Sequence, residues 1–469
     1  MTQLAGGASV AAASSNQNPS LTLGIAGLAA MATYLDTTIL FVAFPGITAS
    51  FESASTSTLS WVLNAYTIVF AALLVPAGKL ADRFGHRLAF LLGSATFSIA
   101  SVACGLAPTA ALLIAARVVQ GVGAAILVPA SLALVMAAFP KEKLPQVIAI
   151  WGAIGALSAA IGPSLGALII DSFGWRWAFF INLPIGTVTI AAGVRYLSES
   201  RDAQVRIPSF TGVVLLVAAA SAMLFALVES DNVGWVSAQT ISLLLGGVLL
   251  LVVFVMHQRR TSAPTLDPEL FALRNFRWGN LAMLSFNISF TAMFFGLILF
   301  LVNVWEWSIL QAGLGVAPGP ALAAVFAARF GKLAGEIGQR PLVIAGGIVA
   351  AASGLYRVLL LDENVDYLVD FGVPLFLSAV AIGLVFPQVT SVAVQAVAAN
   401  QVGVGGATTQ AVRQFGGSLG VALTITLLGT ASGVIDQVAG FNRIWWLVVA
   451  GGIATTLCAL PLQTSGSTK

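Results

Sequence analysis

Asp36 is the only charged side chain in the apolar stretch 22–47, and Arg117 is the only one in the apolar stretch 110–139. A carboxylate in such a place costs roughly 2.5–3.5 kcal/mol on the membrane-insertion scale, and it persists only when paired or facing a wet cavity. Burial and a nearby cation act in opposite senses on a carboxylate's grip on its proton. With a partner that moves, the carboxylate is a proton switch; with one that stays, it is an ion pair that only orients helices. Arg117 is the candidate partner, because arginine keeps its charge inside proteins. Gln120, three positions on, shares its face of a helix.

A second set of charges is repeated. Gly78-Lys79-Leu80-Ala81-Asp82-Arg83-Phe84-Gly85-His86-Arg87 recurs as Gly331-Lys332-Leu333-Ala334-Gly335-Glu336-Ile337-Gly338-Gln339-Arg340, with six of the ten positions identical. Read as a loop, the first copy uses Gly78 and Gly85 to turn tightly. Asp82 can take hydrogen bonds from a helix N-terminus across the halves, where the dipole favours an anion. Arg83 and Arg87 can pair with acids or with lipid phosphate. The second copy lacks the acid, since Gly335 stands at the Asp82 position and Glu336 at the Arg83 position. One working copy, in the first half, is expected. Lys79, Arg87, Lys332 and Arg340 read better as topology signals.

The elements that position these residues must be membrane helices. Of the 469 residues 58% are hydrophobic and 8% charged, with mean hydropathy +0.96, against roughly 25% charged in soluble domains. A bilayer-crossing helix needs about 20 mostly apolar residues. Fourteen such segments lie near 22–47, 59–77, 88–107, 110–139, 147–170, 175–197, 209–229, 236–256, 277–304, 310–329, 341–360, 370–395, 403–430 and 441–463.

Alternate connections are basic (Lys79, Arg83, Arg87; Lys141, Lys143; Arg195, Arg201, Arg206; Arg259, Arg260, Arg274, Arg277; Lys332, Arg340). The others are acidic (Glu52; Asp171; Glu229, Asp231; Glu306; Asp362, Glu363, Asp366, Asp370; Asp436). The positive-inside rule assigns the basic set, and with it both termini, to the cytoplasm. Eight segments separate the two copies of the repeat, where two plain six-helix halves would leave six. Two helices, 209–229 and 236–256, therefore read as an insert between duplicated halves. The expected divisions are a disordered cytoplasmic tail at 1–20, a six-helix bundle at 21–198, the inserted pair with its flanking loops at 199–276, and a second six-helix bundle with a short tail at 277–469. The tail lacks the basic start of a signal peptide.

Other chemistries find no support. Cys104 and Cys458 sit far apart in apolar stretches and read as packing residues, while His86 and His257 fall at helix ends and read as solvated. No phosphate-cradling Gly-x-x-x-x-Gly-Lys-Ser/Thr loop, metal-ligand cluster or nucleophile elbow occurs, so no cofactor, metal or enzymatic activity is expected. The net charge of +3 is too small to point to nucleic acid, and no obligatory protein partner is evident.

Five stretches carry a family resemblance. They are Leu35-Asp36-Thr37-Thr38-Ile39 with Val42-Ala43 and Pro45; Arg117-Val118-Val119-Gln120-Gly121-Val122-Gly123; Gly162-Pro163-Ser164-Leu165-Gly166; Trp175-Arg176-Trp177 leading to Asn182-Leu183-Pro184-Ile185-Gly186; and Arg413-Gln414-Phe415-Gly416-Gly417-Ser418-Leu419-Gly420. Together they resemble the major facilitator superfamily, in its 14-helix drug–proton antiporter branch, over nearly the whole length. Phe41 departs from the usual Asn, and Ser158 and Ala167 replace two glycines.

The resemblance implies that Arg117 faces a cavity near Asp36 and holds that carboxylate ready to release its proton. It implies that Gly162, Pro163 and Gly166 form the antiporter motif, whose small residues let helices approach closely. It also implies that the loop of Gly78, Asp82, Arg83 and Gly85 latches a cytoplasmic gate, with Arg413 as a further gate contact. Tyr34, Trp61, Asn64, Tyr66, Gln120, Asn287, Phe290, Phe294 and Gln388 are candidates for lining the cargo cavity. Glu306, between Trp305 and Trp307, is a candidate for attracting a cationic cargo to its mouth.

The expected protein is thus an all-α transporter of the cytoplasmic (inner) membrane. It would export amphipathic or cationic small molecules in exchange for protons by alternating access, with cargo, protons and membrane lipids as its partners. A dedicated exporter of a lipid or an endogenous metabolite is the second transport reading. A non-transporting scaffold or receptor comes from another class, and the desolvation cost of Asp36 and Arg117 argues against it.

Overall fold

The computed structural model describes residues 18–140, 143–201, 207–398, 401–429 and 434–463; the tail expected at 1–17, Lys141 and Arg206 lie outside these. Residues 18–20, assigned to the tail, begin the first helix instead, because the Asn18 side chain accepts from the Ser20 and Leu21 amides and caps it.

The described helices are α1 (Pro19–Ser50), α2 (Thr56–Phe84), α3 (His86–Leu106), α4 (Ala110–Ala138), α5 (Leu144–Phe173), α6 (Trp177–Phe180), α7 (Asn182–Tyr196) and α8 (Phe210–Val233). They continue with α9 (Ala238–Arg260), α10 (Arg274–Asn303), α11 (Ile309–Val316), α12 (Pro318–Ile337), α13 (Gln339–Leu360), α14 (Val373–Gln395), α15 (Val402–Leu428) and α16 (Val434–Ala459). They supply 14 spans long and apolar enough to cross a membrane, with α6 joined to α7 and α11 to α12 in one span each.

Successive spans alternate in direction. At one end the α2–α3 turn meets the segment after α7 (His86 N to Ser200 O, 3.0 Å), and α10 begins beside the end of α16 (Arg274 Nε to Pro461 O, 2.8 Å). This is the basic end. At the acidic end Trp175 Nε1 donates to Ser50 Oγ (2.8 Å) and Trp305 Nε1 to Asp362 O (3.0 Å).

The repeat is helix rather than loop. Residues 78–84 complete α2 and residues 331–337 complete α12, and the chain turns only at Gly85 and Gly338, with φ of +125° and +80°. Lys, Leu, Ala and Arg are good helix formers, so each helix runs on until a glycine can take positive φ. Gly78 makes no turn. It lies inside α2, where a Cβ would meet Pro129 at an ordinary 3.5 Å.

Before the α8–α9 pair, α1, α3, α4 and α7 pack together, with α2 against α4 and α5 against α1. After it, α10 packs on α14, α15 and α16, and α13 on α14 and α16. The two groups meet along α2–α15, along α5 with α11 and α12, and between α1 and α10. The pair packs on itself, and α8 touches both α2 and α15.

The acidic end is sealed. Every residue of α10 from 291 to 301 is buried, and Phe295 lies 5.4 Å from Phe41 and 5.2 Å from Phe44. Gly313 of α11 approaches α5 so closely that a Cβ would fall 2.3 Å from that of Ala167. In lipid, where apolar burial gives no drive between helices, such close dispersion contact holds them together.

Candidate functional site

Two other spans donate to Asp36 on α1, and the surrounding bonds extend to α2, α3 and α6. Arg117 NH1 donates to its Oδ2 at 2.6 Å, while Gln120 Nε2 and Asn182 Nδ2 each donate to its Oδ1 at 2.9 Å. Arg117 also donates through Nε to Val62 O (2.9 Å) and through NH1 to Gln120 Oε1 (2.6 Å), with its guanidinium 4.0 Å from the centre of the Tyr66 ring. Ser101 Oγ accepts from Gln120 and Asn182 and donates to Phe179 O. Asp36, Arg117, Gln120 and Asn182 are all at most 1% exposed.

The local sequence explains this convergence. A Cβ on Gly121 would lie 2.8 Å from Tyr66 O, and one on Gly123 would lie 2.5 Å from Phe97 N. Bare backbone at these two positions lets α4 touch α2 and α3, which brings Arg117 and Gln120 to α1. Removing the charge from Asp36 would leave a cation buried without a counter-charge, a loss of several kcal/mol in such sites. The charged pair is therefore held together by its own desolvation: each partner needs the other.

The small-residue motif of α5 spaces two contacts. A Cβ on Gly162 would collide with Thr38 Oγ1 at 1.9 Å, and one on Gly166 would lie 3.0 Å from Ile39, so these positions face α1. Pro163 and Ala167 face Gly313 of α11 instead.

The residues assigned to the gate are arranged differently from expectation. Asp82 accepts from His86 Nε2 (2.9 Å), within its own half, and His86 Nδ1 lies 2.8 Å from Ser200 Oγ, so this histidine is held rather than solvated. The acid at the α3 N-terminus is Glu199, whose carboxylate accepts from the Arg87 and Leu88 amides at 3.0 and 3.1 Å. Glu199 follows α7 closely and α7 packs on α3, so the helix N-terminus beside this turn is met by Glu199 of the same half, whereas Asp82 was expected to meet one across the halves. Arg83 is half-buried in the last turn of α2. Lys79 Nζ donates to Pro264 O (2.7 Å), tying α2 to the connection after α9.

Arg413 lies inside α15 rather than near its end. It sits eleven residues into α15, about 16 Å along the helix at 1.5 Å per residue. Its guanidinium lies 5.9 Å from the Tyr34 ring and 5.4 Å from the Phe386 ring, between the two groups of helices.

The cavity candidates divide. Tyr34, whose hydroxyl accepts from Gln410 Nε2 at 3.5 Å, and Phe290, 5.2 Å from Phe386, share the region of Arg413. Gln120 and Tyr66 belong to the Asp36 cluster. Asn64 accepts from Ser418 Oγ (3.1 Å) in the α2–α15 contact, and Asn287 Nδ2 donates to Arg413 O (2.5 Å). Phe294, 6.0 Å from Phe41, joins the acidic-end seal, and Gln388 is buried on α14. Trp61 turns away from any central space, because α8 covers that side of α2 and offers Phe225 at 6.1 Å. Glu306 is exposed at φ +53°, outside the seal, since its neighbour Trp305 turns inward.

Ser101, Glu199 and Arg357 escape the sequence reading, and Asn182 entered it only as part of a family stretch, without a role. Arg357, in the last turn of α13, is fully buried. It donates to Ser353 O, Ser353 Oγ and Ser378 Oγ and lies 5.6 Å from the Trp445 ring, and its Nε has no acceptor among the described residues. A lone arginine inside 341–360 was its signal. Among the described residues no group of His, Cys, Asp and Glu could hold a metal.

Comparison with known proteins places this architecture. Residues 26–421 match the Major Facilitator Superfamily. The chain is 35% identical over 417 residues to the multidrug resistance protein Stp of Mycobacterium tuberculosis (strain CDC 1551 / Oshkosh), covering 88% of this chain and 76% of that one. It is 31% identical over 439 residues to the methylenomycin A resistance protein of Streptomyces coelicolor, covering 92% and 91%. The fold matches the crystal structure of the human organic anion transporter MFSD10 (TETRAN) with TM-score 0.63 at 15% identity, over 94% of this chain and all of that one. The chain belongs to the Major Facilitator Superfamily, as a multi-pass cell-membrane transporter and not an enzyme.

Proposed function

We propose that this transporter exports amphipathic small molecules in exchange for protons, by alternating access. The observation that carries the reading is Asp36, fully buried and held by Arg117, Gln120 and Asn182 from two other spans. Protonation cancels the charge that Arg117 answers, loosens α1 from α4, and so couples one proton to a change of access. The resistance named for both relatives favours export of foreign molecules over import.

In this reading the basic end and both termini are cytoplasmic. The sealed end is then external. Bundles at 21–198 and 277–469 rock against each other along α2–α15 and α5 with α11 and α12, beside the pair inserted at 199–276. Reconstituted protein should accumulate a fluorescent amphipathic cargo against its gradient when a pH difference is imposed, and a protonophore should abolish this. Accumulation that persists with the protonophore would disprove proton exchange.

A further inference from the structure

The charges between the two groups of helices have one sign. Among the described residues, every acid in a span other than Asp36 lies near a helix end. Asp36 itself is dry, and Arg117 answers its charge. A cationic cargo would find no free carboxylate at mid-span. Arg413, by contrast, is only partly buried, and no carboxylate among the described residues pairs with it. Its position is pinned by Asn287, which donates to the Arg413 carbonyl across the α10–α15 contact. The buried Arg357, inside the second group, adds a further positive charge, and among the described residues no carboxylate pairs with it.

We propose that the cargo is an amphipathic anion and that Arg413 binds its negative group, a carboxylate or similar oxyanion. This rests on the export reading above. A guanidinium presents a rigid fork of donors that matches a carboxylate, and charge acts more strongly in a low-dielectric interior than in water. Tyr34 belongs to the first group of helices, Phe386 and Phe290 to the second, so the apolar body of one bound anion would touch both. The tyrosine hydroxyl and Gln410 supply polar contact at its edge.

The test uses one apolar body with three head groups: 1-pyrenebutyrate, 1-pyrenebutanol and 1-pyrenebutyl-trimethylammonium. Binding to the full chain in nanodiscs of neutral lipid is read by fluorescence anisotropy, with empty nanodiscs subtracted. Wild-type protein should prefer the anion over the cation. Arg413→Gln should cut that preference about ten- to a hundredfold, the worth of a charged hydrogen bond, and leave the neutral probe's affinity unchanged. Arg413→Lys should keep most of the preference.

Equal or tighter binding of the cation by wild-type protein would overturn the proposal, whether or not the variants fold. An anion preference that survives Arg413→Gln would overturn the assignment to that residue. Proton-driven uptake of the trimethylammonium probe alone would leave export standing and remove the anionic cargo. Binding of the butyrate without uptake would do the reverse.

Discussion

Replacing Asp36 with Asn keeps the shape of the side chain and removes its charge. The carboxylate accepts three hydrogen bonds, one from Arg117 and two from amides. The Asn oxygen can serve the two amides, but its NH2 group then faces Arg117, hydrogen against hydrogen. Turning Gln120 over gives no relief, because its Oε1 already holds Arg117 NH1 at 2.6 Å. Breaking a buried ion pair from one side costs about 3–5 kcal/mol. At 1.4 kcal/mol per factor of ten, the sealed conformation should lose about two to three and a half powers of ten in population against one that wets Arg117. Proteoliposomes carrying Asp36→Asn should therefore show no pH-driven accumulation above protein-free background. Counterflow of labelled cargo, which needs no proton, should persist, and size-exclusion should show one monodisperse peak. Wild-type pH-driven rates in the variant would refute the coupling argument.

Further substitutions test the packing. Gly85→Ala, at φ +125° and with a Cβ 2.6 Å from the Glu199 carboxylate, should lower stability by about 1–3 kcal/mol, whereas Gly78→Ala should be neutral or raise it by about 0.5–1 kcal/mol; thermal unfolding followed by tryptophan fluorescence compares them. Gly162→Ala should destabilise by about 1–3 kcal/mol through overpacking against Thr38, and Thr38→Ala in the same protein should restore most of the loss; additive losses would contradict the contact. Arg357→Met should raise the melting temperature, by about 1 kcal/mol or more in stability, because a buried unpaired cation gives way to an apolar chain of similar length. A lower melting temperature would mean that a partner compensates this arginine.

Much of the fold was legible because the bilayer simplifies the code. An apolar run of about 20 residues has few alternatives to a span, and a charge within one stands out. Asp36 and Arg117 were found that way, Gln120 by its spacing from Arg117, and Arg357 could have been found as a charge. The end of a span is harder to read, because charged residues signal loops while Lys79, Leu80, Ala81 and Arg83 favour helix. That conflict turned a helical segment into an expected loop. The partner at the α3 N-terminus was out of reach, since Glu199 arrives there only through the packing of α7 on α3. Direction was the remaining gap. Trp61 and Arg413 are both on the right helices, but which neighbour each meets depends on how α8 and α15 dock against α2.

The position of α8 has a consequence for how cargo arrives. The two groups of helices meet at two seams, α2 with α15 on one flank and α5 with α11 and α12 on the other. α8 lies against both α2 and α15, so it covers the first seam from the lipid side. The second seam has no such cover from the α8–α9 pair. A molecule already dissolved in the bilayer therefore meets a walled flank and a bare one, and if Arg413 binds cargo as proposed, a lateral path to it would run past α5 rather than past α2.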